Sequence, residues 1–501
     1  MAKQAVPMDP SLTGARTPVA PRLTRRAFLG STAAGLGALV LGGGCRVGRG
    51  PAARPNVLFI LTDDQRFDAL GCAGNPIIQT PNVDRLAGEG IRFERAFVTT
   101  PICAASRASI LTGTYERTHT YTFTKPPLGR AFTDISFPVR LRQAGYRTGI
   151  VGKLGVAVDK DVLGDMFDFT RLDGLPYIQT VNGVERHMTE VEGDWVIDFL
   201  RGVEPGRPFC LLWCPWAPHA DDDNPKQYFW PPAVDGLYRD VVIPVPEMAA
   251  PEYYDAQPDF LKDTMNRTRW GWRFDTPQKY QGMVKGYYRM ISGIDLVLGR
   301  ILNELERLGL DGNTVIIHTS DNGCFLGERG YADKWLMYEP SIRVPLVVYD
   351  PRAPRAGRGL VRREMALNID LAPTLMELAG IAVPPQVQGR SLRPLLARRA
   401  PSWRTEIFCE ELWDHPEIPR SECVRTERWK YIQYPGHPEY VELFDLAADP
   451  DERRNLAGDP GYARVLAELR ERCGRKIKEL LDDQTRIKAH GTRDSVPARA
   501  A

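Results

Sequence analysis

Two apolar runs far apart in the chain end in the same way. NVLFILTDD, Asn56 to Asp64, closes on two aspartates, and TVIIHTSDN, from Thr314, closes on Asp321 and Asn322. An unbroken apolar run of this length suits a parallel strand buried on both faces, and the carboxyl ends of such strands are where open α/β sheets hold their ligands. The second run follows ISGIDLVLGRILNELERLGLDGN, an amphipathic helix closed by a Gly-Asn turn. The order helix, glycine, strand recurs in FPVRLRQAGYRTGIVGK and in DWVIDFLRGVEPGRPFCLLWCPWAPH, and TPNVDRLAGEGIRF sets Val83, Leu86 and Ala87 at helical spacing before Gly88 and Gly90. Repetition of this unit predicts an α/β fold, a large and mostly parallel sheet sandwiched by helices.

The rest of the chain has other textures. From Asp221 to about Pro277 it is rich in Pro, Asp, Trp and Tyr without a clear period, which predicts a long surface excursion near the site. After NIDLAPTLMELAGI, the segments EIFCEEL, SECVRTERWKYIQYP and YVELFDLAAD read as short antiparallel strands, and a helix is predicted from about Tyr462 to Leu481. The resulting organisation is a leader and linker over 1–53, a main catalytic domain over 54–385, a smaller α+β subdomain over 386–483 and a disordered tail over 484–501.

The leader contains RLTRRAFLGSTAAGLGALVLGGGC, with Arg25–Arg26 ahead of a short Gly/Ala-rich apolar stretch free of acidic residues. It resembles a bacterial twin-arginine export signal and predicts a periplasmic or extracellular protein handled by the twin-arginine machinery. Cys45 is a candidate lipid anchor. With 65 basic and 63 acidic residues the net charge of +2 argues against a nucleic-acid partner. The nine cysteines are scattered, odd in number and without a CxxC pair, which argues against a disulfide scaffold or a zinc knuckle.

Adjacent carboxylates at the end of a buried strand repel one another and lose solvation unless a cation offsets them. A single Asp-Asp or Asp-Asn pair more often caps a helix or makes a turn. Two such pairs, each closing an apolar strand, favour a hard divalent cation with oxygen ligands.

PNVLFILTDDQ, TPNVDRLAGEGIRFERAFVTTPICAASRASILTG, TSDNG with LGERGYADKW, YEPSIRVPLVV, DLAPTLMELAGI and VQGRSLRPLL together resemble the formylglycine-dependent sulfatases of the alkaline-phosphatase-like superfamily, in the family's order from about residue 55 to 458. The resemblance implies that Cys103, in the place of the Cys-x-Pro-Ser-Arg cysteine, is oxidised by a maturation enzyme to formylglycine. It implies that Asp63, Asp64, Asp321, Asn322 and the modified residue 103 hold calcium, or magnesium in its place. A hydrated aldehyde would attack sulfur and then expel sulfate, which a thiol or a hydroxyl cannot do. By the same correspondence Arg107 fixes the hydrate, Lys153 and Lys334 bind sulfate oxygens, and His219 stands beside the leaving group as general acid.

Three positions depart from the family pattern. Ala105 replaces the motif proline, Gly155 stands where the family often has a histidine thought to help regenerate the aldehyde, and Arg329 of GERG stands where many relatives show histidine, altering the anion pocket. The carboxyl-terminal segment supplies His415, Arg425, Trp429 and Lys430, of which His415 and Arg425 are the candidate substrate contacts; this region resembles that of carbohydrate sulfatases and implies a sulfated glycan as substrate. The alternatives are a phosphonate monoester or phosphodiester hydrolase of the same superfamily, and a non-catalytic glycan-binding homologue.

Overall fold

The computed structural model describes residues 54–123, 127–354, 358–397 and 402–491; the leader, with Arg25–Arg26 and Cys45, lies outside them. The centre is an eight-stranded sheet of β1 (Asn56–Thr62), β2 (Ile91–Phe93), β3 (Arg147–Gly152), β4 (Phe169–Leu172), β5 (Phe209–Cys214), β6 (Thr314–Ser320), β7 (Leu346–Tyr349) and β8 (Leu360–Arg362), in the spatial order β8-β2-β7-β6-β1-β5-β3-β4. From β6 to β4 every pairing is parallel, and β7 runs antiparallel to both of its neighbours.

Alternation along β1 divides the core. Val57, Phe59 and Leu61 enter one apolar cluster, and Leu58 and Ile60 enter the cluster on the other face. The second face is covered by α3 (Met188–Arg201) and α4 (Pro277–Arg307), after α1 (Pro81–Glu89) and α2 (Cys103–Thr112) in chain order. Helix α4 begins at Pro277, earlier than the sequence pattern marks, because Thr276 caps it through a hydrogen bond from the Lys279 N–H.

The carboxyl-terminal strands form a separate antiparallel sheet, β9 (Glu406–Glu411), β10 (Ser421–Thr426), β11 (Trp429–Gln433) and β12 (Val441–Asp445). Ile407, Phe408, Val424 and Leu443 from this sheet join the apolar cluster on the first face of the main sheet. Helix α5 (Ala463–Gly491) follows. It passes the expected end at Leu481 because Leu480 and Ile487 prolong its buried stripe. The boundary drawn at 484 therefore falls inside a helix, and residues 484–491 are helical rather than a disordered tail. Among the described residues no helix is long and apolar enough to cross a membrane.

Candidate active site

Four neighbouring strand ends build the site. In the register of β1 and β6, Thr62 lies opposite Ser320, so Asp63 and Asp64 leave the sheet beside Asp321 and Asn322. On the other side, Gly152 of β3 lies opposite Cys214 of β5, and the Lys153 N–H donates to the Cys214 carbonyl at 2.7 Å. Lys153 and His219 thus emerge next to the acids, as expected at the carboxyl edge of a parallel sheet.

Helix α2 points its first residue, Cys103, at this edge; all ten of its residues are buried. One turn on, Arg107 ties the strand ends together. Its Nε donates to Asp321 Oδ2 at 2.7 Å, its Nη1 to the Lys153 carbonyl at 2.7 Å and its Nη2 to Asp63 Oδ2 at 3.2 Å. A Cβ on Gly155, which has φ +68°, would lie 2.5 Å from Arg107 Cδ. The glycine at the histidine's place is therefore the residue that lets Arg107 through.

The ammonium groups sit on the paired acids. Lys153 Nζ is 2.5 Å from Asp63 Oδ2 and 4.3 Å from the centre of the Trp216 ring; Lys334 Nζ is 2.5 Å from Asp64 Oδ1. Burial alone would push the Asp63 carboxyl up, but Lys153, His219, Arg107 and Lys334 outweigh it and hold the group well below its ordinary range. Lys334 is raised well above its own, Asp64 and Asp63 prevailing over burial. Cys103 differs: burial pushes its thiol up against the pull of the two lysines.

His219 accepts no backbone hydrogen at Nδ1, because that atom lies 2.6 Å from the Ala220 carbonyl and must carry the proton. Nε2 then faces Asp64 Oδ2 at 3.7 Å. Asp63, Asp64 and His219 each offer a ligand atom within 4.8 Å of the others. Asp63 Oδ1 and Asn322 Oδ1 are buried acceptors without a hydrogen-bond donor. Asn322 spends its amide hydrogens on Asp64 Oδ1 at 2.6 Å and on the Gly323 carbonyl at 2.8 Å, so its free oxygen stays beside the acids. The oxygens of Asp63, Asp64 and Asn322, two of them orphaned acceptors, fit a hard divalent cation.

Above this floor opens a cleft of about 540 Å³ that reaches Cys103, Lys153, His219 and Lys334. Its walls include Trp216, Trp335, Trp413, Met265 and Arg269, which the sequence reading did not single out. Trp216 had a signal, its place between Lys153 and His219 in the strand-end loops. Lys334 is flanked by Asp333 and Trp335 with φ of 66° and 77°, a strained pair held by Arg269 and Arg273 on Asp333 and by Asn266 Nδ2 on the carbonyls of Ala332 and Lys334.

Three charged side chains lie elsewhere. Arg425 is buried against Glu339, with its guanidinium over Phe97, and does not reach the cleft. Its place as a substrate contact is corrected to one inside an ion-pair network, because its partner on the α-turn at 339 comes from a distant part of the chain. Lys430 belongs to the same network. Arg329 lies over Tyr338 and donates to the Glu452 carbonyl, away from the anion pocket it was expected to alter. His415 lies tilted against Trp413, with ring centroids 4.6 Å apart, and lines an adjoining cavity.

Comparison with known proteins agrees with this geometry. The sulfatase family profile matches residues 55–381, and the profile for the carboxyl-terminal region of N-sulphoglucosamine sulphohydrolase matches 327–479. The chain belongs to the sulfatase family. This sulfatase is 29% identical to an N-acetylglucosamine-6-O-sulfatase of Bacteroides thetaiotaomicron, over 86% of this chain and 87% of the relative. It is also 29% identical to an arylsulfatase of Clostridium perfringens, over 85% of this chain and 94% of that one. A solved structure in complex with its substrate D-glucosamine-2-N,6-O-disulfate superposes with a TM-score of 0.74 at 27% identity, covering 86% of this chain and 98% of the other. A phosphonate monoester hydrolase from Silicibacter pomeroyi, 24% identical over 85% of this chain and 96% of its own, shares the fold with a TM-score of 0.71. The protein is a sulfuric ester hydrolase.

Proposed function

We propose that the sulfatase removes sulfate from a sulfated carbohydrate, using a formylglycine made from Cys103 and a divalent cation, calcium in the first place. The observation that carries this reading is the cleft floor, where Cys103, two buried ammonium groups and a histidine stand over three aspartates and an asparagine with two unpartnered oxygens. Asp63, Asp64, Asp321 and Asn322 would hold the cation, which when bound offsets their charge and polarises an oxygen at residue 103. Once hydrated by water, the aldehyde would supply one hydroxyl oxygen as nucleophile and a second hydroxyl whose deprotonation releases sulfate afterwards.

The chain's own groups do the rest. Lys153 and Lys334 approach the sulfate from two sides and offset charge growing on the leaving oxygen. His219, with Nδ1–H fixed on Ala220, presents Nε2 to the cleft, the atom from which a general acid hands its proton to the departing alcohol. Arg107 acts through the carboxylates it clamps, not through residue 103 alone. The tryptophan walls exclude water and offer apolar faces suited to a sugar ring.

The carbohydrate substrate is supported by the glucosamine-type relatives. Export by the twin-arginine route and oxidation by a formylglycine-generating enzyme belong to the same reading, and rest on Arg25–Arg26 and on the CAASR motif. The test has two parts. Mass spectrometry of the peptide containing residue 103, from protein made in its native cell, is expected to show a loss of about 18 Da. Sulfate release from N-acetylglucosamine 6-sulfate is then compared with turnover of an aryl phosphonate ester, before and after chelation. Faster release of sulfate, abolished by chelator and restored by calcium, is expected; a preference for the phosphonate would establish the rival hydrolase, and sulfate release at background would leave a glycan-binding homologue.

A further inference from the structure

Beside the cleft lies a second cavity, of about 550 Å³, lined by Phe260, His415, Ile418 and His437 among others. The two are neighbours across the turn Trp413–Ile418. Trp413 lines the cleft, His415 lines the second cavity, their rings stand 4.6 Å apart, and Ile418 borders both. The turn is fixed to the cleft wall by the Met265 N–H, which donates to the Glu417 carbonyl at 3.0 Å. Both volumes fall in the range of small-ligand sites.

The second cavity has a flat face and matched polar atoms. His437 lies parallel to Phe260, with centroids 3.8 Å apart and planes 10° from one another, and the His437 side chain is 38% exposed. Such a platform suits the C–H face of a sugar ring. His415 Nδ1 accepts the Glu417 N–H at 3.2 Å, so its neutral ring carries the proton on Nε2 and offers a donor. His437 turns Nδ1 towards Glu439 Oε1 at 3.5 Å. The guanidinium at the rim, Arg420, is engaged by Asp414 at 2.5 Å, and Asp263 brings a further negative charge. A donor on His415, an apolar platform and a rim where the carboxylates of Asp414 and Asp263 outnumber the one guanidinium fit hydroxyl groups better than a second sulfate.

We infer that this cavity is a second sugar subsite, holding an uncharged sugar residue linked to the one whose sulfate sits over Cys103. The inference rests on the carbohydrate reading above and makes this sulfatase selective for oligosaccharides over single sugars.

The experiment compares kcat/KM for N-acetylglucosamine 6-sulfate with that for the same sulfated sugar in a disaccharide with galactose, at the reducing and at the non-reducing end. One disaccharide is expected to exceed the monosaccharide by about three- to tenfold, the scale of one aromatic contact. His437→Ala and Phe260→Leu are expected to erase that advantage while monosaccharide turnover stays as it was, which also shows that both variants fold. No advantage for either disaccharide, an advantage that survives both variants, or an equal loss on monosaccharide and disaccharide would each overturn the subsite. Failure to release sulfate from any of these sugars, with an aryl sulfate still cleaved, would instead overturn the carbohydrate reading on which it rests.

Discussion

Two buried networks of charge can be set side by side in this sulfatase. One joins Asp63, Asp64 and Asp321 to Arg107, Lys153 and Lys334 at the carboxyl edge of the main sheet. The other joins Glu339 and Glu452 to Arg425 and Lys430 under the antiparallel sheet. Their residue types are the same, and the members of both are buried. In the second network each carboxylate oxygen has a donor or a cation against it: Lys430 Nζ lies 2.9 Å from Glu339 Oε1 and forms an ion pair at 2.5 Å with Glu452 Oε1, an oxygen with no other donor, Arg425 Nη2 reaches Glu339 Oε2 at 3.4 Å, and the Glu339 N–H donates to Glu452 Oε2 at 2.9 Å. The first network leaves Asp63 Oδ1 and the neighbouring Asn322 Oδ1 without a donor, and a cleft opens above it. Buried charge that satisfies itself holds a fold together. Buried charge that leaves acceptors over and meets a cavity is arranged for something that binds.

The largest effect separates the networks by function. Cys103→Ala is expected to lower kcat/KM on an aryl sulfate by about four orders of magnitude or more, because it removes the nucleophile's precursor. Its melting temperature should stay close to that of the parent. Lys430→Met should do the reverse: it leaves Glu339 and Glu452 buried without their shared cation, at a cost of about 3–5 kcal/mol in stability, with turnover per folded molecule unchanged. Denaturant unfolding and active-site titration of both variants check this. A Lys430 variant of full stability with a raised KM for sulfate esters would erase the distinction.

What the sequence made legible follows the same line. The acids at 63, 64, 321 and 322 could be read because an apolar strand ending in carboxylates is unusual wherever it occurs, and the sheet register then places the two pairs side by side. Cys103 and Lys334 were readable from motifs that carry their own context. Arg425 and Lys430 misled because a charge on a strand shows nothing of its partner, and theirs come from Glu339 and Glu452, which local sequence cannot bring near. Met265 and Arg269 went unnoticed in a segment without period, where only the folded path shows which side chains face the cleft. The early end drawn for α5 reflects its many charged positions, whereas Leu480 and Ile487 keep one side of it buried.

A smaller effect sharpens the picture of the open network. Trp216 lays its ring against Lys153 and is itself held by its indole N–H on the Asp173 carbonyl at 3.2 Å. Trp216→Leu keeps an apolar wall but removes the cation–π contact, and kcat/KM should fall about tenfold. Lys153 remains on Asp63 in this variant, so stability should barely move. A fall in stability with unchanged catalysis would place Trp216 with the self-satisfied network instead.

The smallest effect concerns a carboxyl belonging to neither network. Glu411 ends β9 and accepts the Trp413 N–H at 3.0 Å, so it anchors the turn between the cleft and the second cavity. Burial pushes its carboxyl from 4.5 up to about 8; the Trp413 N–H pulls it back, and Glu410 adds to the rise. In the unfolded chain the group ionises near its ordinary value, whereas in the fold it stays protonated until about pH 8. Folding therefore takes up a proton between those limits, and this contribution to stability falls as pH rises through the window. Glutamine keeps an acceptor for Trp413 and cannot ionise. Glu411→Gln should thus match the parent near pH 5 and melt higher by about 2–4 °C near pH 8.5, with the gap widening between the two. Melting curves at half-unit steps of pH decide it: a gap that is constant with pH would mean that Glu411 is ionised throughout, and that the turn carrying Trp413 rests on a charge after all.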